Sequence, residues 1–143
     1  MAFTSGFVAA LGQHIEAEGL GDWSSTGSFA ANATGITDSR VPDTPDRLVV
    51  ITPYLPVDDV TQAETGWLVQ FRTRGTKDIR TSVDAQDALF DLFHNMPSTV
   101  IGGVTVVGCW RRSYAYLGAD SSGRHSHTGN YEFRLHRPST HRI

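Results

Sequence analysis

The sequence predicts an α+β fold: a mixed or antiparallel β-sheet with two helices packed on one face, in the order α-β-β-α-β-β. Three observations predict it. Two stretches repeat apolar residues at three- and four-residue spacing, four short runs are β-branched or alternate apolar with polar residues, and Gly, Pro, Ser and Asp punctuate the joins. At 143 residues the chain is read as a single domain, residues 1–143, with a core that needs no disulfide or metal staple.

The first helix is expected over Thr4 to Glu18, where Phe7, Val8, Leu11 and Ile15 share a face, with Thr4 or Ser5 as N-cap and Gly19 as stop. A long loop insertion follows over residues 20–47, rich in Gly, Ser, Thr, Asp and Pro. A connection of that length is functional, disordered or hides a short strand, for which Phe29 to Ile36 is the candidate. Leu48 to Tyr54 reads as a strand, with Pro53 marking its end or an edge. Gly66 to Arg74 alternates Trp67, Val69, Phe71 and Thr73 against Leu68, Gln70, Arg72 and Arg74, the cleanest strand pattern in the chain.

Thr81 or Ser82 is the expected cap of the second helix, Asp84 and Asp87 suit its positive end, and Pro97 stops it. Val83, Leu89, Leu92, Phe93 and Met96 form its expected buried stripe. Val104 to Arg111 is the third strand, with Val104, Val106 and Trp110 on one face, Val107 on the other, and Gly108 marking a bulge or a close contact. Asn130 to Arg137 is the fourth, alternating Tyr131, Phe133 and Leu135 against Glu132, Arg134 and His136. Residues 113–128 between them form a long hairpin loop or two extended arms meeting at Asp120 to Gly123. Residues 138–143 are expected to be a tail that orders on assembly.

Charge is unevenly placed. Met1 to Trp110 carries six Lys/Arg against thirteen Asp/Glu, a net of -7, while Arg111 to Ile143 carries six Arg against Asp120 and Glu132, a net of +4. A basic end on an acidic body fits nucleic acid, or the end of one subunit docking on the body of the next. Arg111, Arg112, Tyr114, Tyr116, Arg124, Arg134 and Arg137 interleave basic and aromatic residues as a single-strand binder would. The acidic whole, with a pI near 6.0, weighs against that reading, and Arg and Tyr are equally enriched at protein interfaces.

Chemistry-bearing motifs are sparse. The single Cys109 makes no intrachain disulfide and no paired-cysteine zinc site, and it lies in an apolar strand. His125 and His127 point the same way on a strand but lack a carboxylate at ligand spacing. No phosphate-binding loop, nucleophile elbow or metalloprotease motif is present. The reading is therefore no enzyme, no catalytic residue, no metal and no cofactor. The N-terminus lacks a basic region and a long apolar run, which predicts a soluble protein used without export.

The succession DRLVVITPYL, GWLVQFRTRG, TSVDAQDALFDLFHNM, IGGVTVVGCWRRS and GNYEFRLHRPS resembles the tail terminator or minor capsid proteins of long-tailed bacteriophages, over Asp46 to Arg137 plus the leading helix. The resemblance implies a tail-terminator-like fold that assembles as a homo-oligomeric ring, typically a hexamer, at the tail-neck junction of the virion. Such a ring stops tube polymerisation and contacts the tail-tube protein and a neck or connector protein. Phage DNA passes through its lumen without sequence-specific binding. By that analogy Gln70, Arg72, Arg74, Glu132, Arg134 and His136 are candidate subunit or tube contacts. The arm residues Arg111, Arg112, Tyr114, Tyr116 and Arg124, with Arg137, extend the set. A head-closure connector, a nucleic-acid-binding module and a ferredoxin-like metabolic domain are the alternatives.

Overall fold

The computed structural model describes residues 2–58 and 64–137; the expected tail at 138–143 lies outside them. Among the described residues two helices and seven strands occur in the order α1 (Phe3–Ala17), β1 (Asp22–Trp23), β2 (Gly35–Asp38), β3 (Leu48–Asp58), β4 (Glu64–Arg74), α2 (Ile79–Phe93), β5 (Thr99–Ile101), β6 (Val104–Ala119) and β7 (His125–His136). One mixed sheet holds every strand, in the order β1-β2-β3-β4-β7-β6-β5. Pairing is parallel across β1-β2-β3 and antiparallel elsewhere.

The α+β class stands, but the element order is richer than the six-element expectation. The residues 20–47 insertion hides two short strands, β1 and β2, and residues 99–101 add a third at the far edge. Segments of two to four residues show too little alternation to separate from loop; their partners create them, parallel for β1 and β2 and antiparallel for the residues 99–101 strand. Residues 113–128 resolve as the two arms of one hairpin, β6 and β7, turning at Asp120 to Arg124.

α1 keeps its expected face: Phe7, Val8, Leu11 and Ile15 are buried. Ala2 rather than Thr4 or Ser5 occupies the N-cap position, with no side-chain cap. At the other end Gly19 takes φ +78°, so its N–H meets Glu16 C=O and Leu20 N–H meets Ile15 C=O, the paired closure that a left-handed glycine permits.

α2 starts earlier than expected. Asp78 is its cap and accepts the Arg80 N–H at 3.1 Å. Its fully buried residues are Ser82, Gln86, Leu89 and Phe93; Leu92 and Met96 of the expected stripe pack half-buried against the core, and toward the helix start the polar Ser82 and Gln86 take the place expected of Val83. Their hydrogen bonds explain why burial is tolerated and are described below.

The core forms where the apolar faces of β3, β4 and β7 meet the helices. Phe7 of α1 meets Trp67 and Phe133, and Phe93 of α2 meets Phe71, Tyr131 and Phe133, at ring separations of 5.0 to 6.4 Å. Phe133 thus touches both helices. Three register shifts re-phase β6, at Val106/Gly108, Arg111/Ser113 and Tyr116/Gly118. The shift at Gly108 agrees with the expected bulge, and it turns Trp110 away from Val106 to pair beside Glu132.

Gly12 sits inside α1 against the Trp23 indole, and a Cβ there would overlap the ring. In an exposed helix Gly→Ala stabilises by about 1 kcal/mol. Here Gly12→Ala is expected to lower stability by about 1–3 kcal/mol, the usual cost of overpacking, read from urea midpoints at constant m-value.

Candidate functional site

Strand register sorts the candidate residues onto the sheet's open face. Gln70 lies beside Asn130, Arg72 beside Thr128, and Leu68 beside Glu132. Gln70 Nε2 donates to Asn130 Oδ1 at 3.5 Å. Glu132 is buried and carries two arginines: Arg112, and Arg134 Nη1 at 3.5 Å, which also approaches Glu64 at 3.8 Å. The centre of this face is therefore an Arg-Glu-Arg cluster. Its outer members, Arg112 and Arg134, remain wholly or partly exposed. Exposed as well is His136, while Arg137 stacks its guanidinium 4.8 Å from the Phe3 ring.

Two candidates are placed differently from the rest. Arg74 is 5% exposed, and its guanidinium donates to the carbonyls of Pro42, Asp43, Pro45 and Asp46 at 2.8 to 3.2 Å. Arg124, 8% exposed, bonds the same loop through Asp43 and Asp46 and holds Asp120 at 2.9 Å. Both arginines are committed inside their own subunit. The reason is topological: β2 and β3 are parallel neighbours, so residues 39–47 must cross over the sheet, and this crossover has no helix to satisfy its carbonyls. Burial, with repulsion from Arg124, pulls the Arg74 pKa below its ordinary value.

On the opposite face the hairpin arm meets α2 through a polar cluster that the sequence pattern did not disclose. Ser82 Oγ donates to Thr73 C=O at 3.0 Å, and Thr73 Oγ1 donates back to Ser82 C=O at 3.1 Å. Ser82 Oγ also hydrogen-bonds His127 Nδ1 at 2.8 Å. Gln86 Nε2 closes the cluster on Phe71 C=O at 2.9 Å. A serine beside a histidine suggests a nucleophile. Ser82 is fully buried and its hydroxyl is shared between Thr73 C=O and the imidazole, so the pair locks α2 onto β4 and β7. Period-3.6 placement of Ser82 and Gln86 under an acidic face was the only sequence signal.

His125 and His127 do share a face, as their spacing predicts. His125 Nδ1 pairs with Tyr116 Oη at 2.7 Å, and the Tyr116 and His127 rings lie 5.0 Å apart. Tyr114 packs 5.5 Å from His127, and Arg111 lies over Phe90 at 4.4 Å and Tyr114 at 5.1 Å. Among the described residues no group of three His, Cys, Asp or Glu is placed to hold a metal. Cys109 is buried, and burial, with the Glu132 charge adding, pushes its thiol far above the ordinary range. Such a thiol is a poor nucleophile.

A family model described as bacteriophage tail terminator protein matches residues 14–137. The chain belongs to the bacteriophage tail terminator family. The resemblance carried by the VQFRTRG strand, the DAQDALFDLF helix and the NYEFRL strand thus holds over most of the chain. Among solved structures, a chain from the virion of a native gene transfer agent particle is similar, with a TM-score of 0.54 at 14% identity. The match covers 71% of this chain and 78% of that one, and at such identity it speaks to the fold. Among curated proteins no sequence relative is found. Membership makes this terminator-family chain a structural protein of the phage tail, a non-enzymatic class.

For this family member the arginine pins and the histidine cluster give separate tests. Arg74→Met, which strands four loop carbonyls, is expected to cost about 3 kcal/mol, with faster amide exchange at Gly35, whose N–H bonds Arg47 C=O. Arg74→Lys restores only part, because an ammonium lacks the guanidinium's fork.

Burial, then the nearby His125, lowers the His127 pKa. The unfolded chain therefore binds the proton first, and stability falls as pH drops below about 6.5. Urea midpoints between pH 7.5 and 5 should show a decline in the wild type that His127→Gln reduces.

Proposed function

We propose that this protein caps the end of the phage tail tube as a ring, ends tube polymerisation and joins the tail to the neck connector. The observation that carries the reading is the family match over residues 14–137, supported by the fold shared with a virion chain. The ring is a hexamer at the tail-neck junction, built from single-domain subunits that gather in the host cytoplasm. DNA crosses its lumen without base recognition.

Ring closure needs two unlike patches on every subunit, related by a rotation that closes. An open sheet supplies them, because its two edges differ. The exposed or half-exposed candidates Gln70, Arg72, Arg111, Arg112, Tyr114, Tyr116, Arg134, His136 and Arg137 are the assembly contacts in this reading. Arg74 and Arg124 shape the subunit instead. Termination then depends on one ring face matching the last tube ring while the other lacks the surface that recruits another.

Mixing the purified protein with its tail-tube protein and imaging by electron microscopy tests this. Capped tubes of bounded length are expected. Tubes that keep growing with bare ends would move the protein to a head-closure or other connector position in the neck.

A further inference from the structure

The ring reading leaves the subunit joint unassigned, and the following inference rests on that reading. β6 is paired with β7 along its inner side, but its outer side meets β5 only from Val104 to Val106. The loop after α2 covers the next stretch: Asn95 N–H donates to Cys109 C=O, and Arg111 N–H donates to His94 Nδ1. From Arg112 to Ala119 no described strand lies along that outer side. That stretch contains no Pro, Lys, Asp or Glu, and it exposes Tyr114 at 42%, Tyr116 at 49% and Leu117 at 50%.

Natural proteins blunt free edges with proline, lysine or cover. β3 follows that rule: beyond its pairing with β2 at Ile51 it carries Pro53 and Pro56, which offer no N–H. The β6 edge is not blunted. Rings and Leu117 set on an open strand are what an interface core uses.

Charge points to the occupant. Arg111 makes no ion pair among the described residues and stands with Arg112 at the base of the open edge. At the opposite end of the strand order, Glu18 and Asp22 are exposed beside β1, at the negative end of the α1 macrodipole. Neither has an ion pair among the described residues. The other exposed acidic row, Asp84, Asp87 and Asp91 of α2, flanks the arm of its own subunit. A twofold pair of copies would use that row; a head-to-tail ring would not.

We propose that the open β6 edge from Arg112 to Leu117 docks on the Glu18–Asp22 corner of a second copy, one such joint per subunit closing the ring. The test compares wild type, Leu117→Glu, Glu18→Lys/Asp22→Lys, and the three substitutions combined, by native mass spectrometry and by electron microscopy with tail tubes. Leu117→Glu sets an acid against the acidic corner, and the lysine pair sets base against Arg111 and Arg112. Each is expected to weaken ring formation by at least about tenfold, and the combination, which sets the new carboxylate against the new lysines while Arg111 and Arg112 still repel them, to regain part of it.

Unchanged circular dichroism checks the fold. Should Leu117→Glu unfold, Tyr116→Ser replaces it, with loss of rings still expected. Wild-type rings together with unaffected variants would overturn the joint and leave the ring reading standing. Wild type that forms no ring, free or on tubes, would overturn both. Rings that persist in Leu117→Glu but no longer cap tubes would assign the edge to the tube protein and overturn the proposal, as would dimers abolished by Asp84→Lys/Asp87→Lys.

Discussion

The rest of the structure depends on β7, the strand that is paired without interruption on one side and along its whole length on the other. Its register with β4 runs unbroken from Glu64↔His136 to Arg74↔Ser126. Because side chains alternate, this one register sends Tyr131, Phe133 and Leu135 into the core and Asn130, Glu132 and Arg134 to the open face. A slip of a single residue would bury the Arg-Glu-Arg cluster and expose the rings that hold both helices. Phe133 alone meets Phe7, Phe71 and Phe93.

The strand next to it is built on a different principle. β6 accepts three register shifts over sixteen residues, each adding local twist, and the sheet curls so that α1 contacts both β1 and β5, strands at opposite ends of the order. The regular strand fixes the core while the shifted one bends and leaves its outer side free. Sheet stability and edge availability are thereby assigned to neighbouring strands.

Polar burial is handled locally in two places. The β2–β3 crossover, which lacks a helix, is satisfied by Arg74 and Arg124. The seat of α2 is satisfied by Thr73, Ser82, Gln86 and His127. Each set hydrogen-bonds groups that would be costly to bury alone, although Gln86 Oε1 has no partner among the described residues. Arg124 also ties the tip of the hairpin, through Asp120, to the crossover. The long arm is thus held at its tip as well as along β4.

By itself the sequence determined both helices, the β4 strand and the alternation of β7, because each places enough residues on one face for periodicity to register. The family was legible in the same segments. Tertiary structure decided what has no local period: β1, β2 and β5 exist only through partners, and the β6 bulges reassigned Trp110. The roles of Arg74 and Arg124 were hidden for the same reason. Alternation places Arg74 on a polar face and Arg124 reads as a residue of the arm, but only the crossover, some thirty residues away from Arg74 and about eighty from Arg124 in sequence, decides that they bind their own chain. Ser82 and Gln86 likewise look like surface polar residues until Thr73 and His127 arrive from two other strands. Hydrogen-bond partners distant in sequence are set by topology, and one strand's pattern carries no record of them.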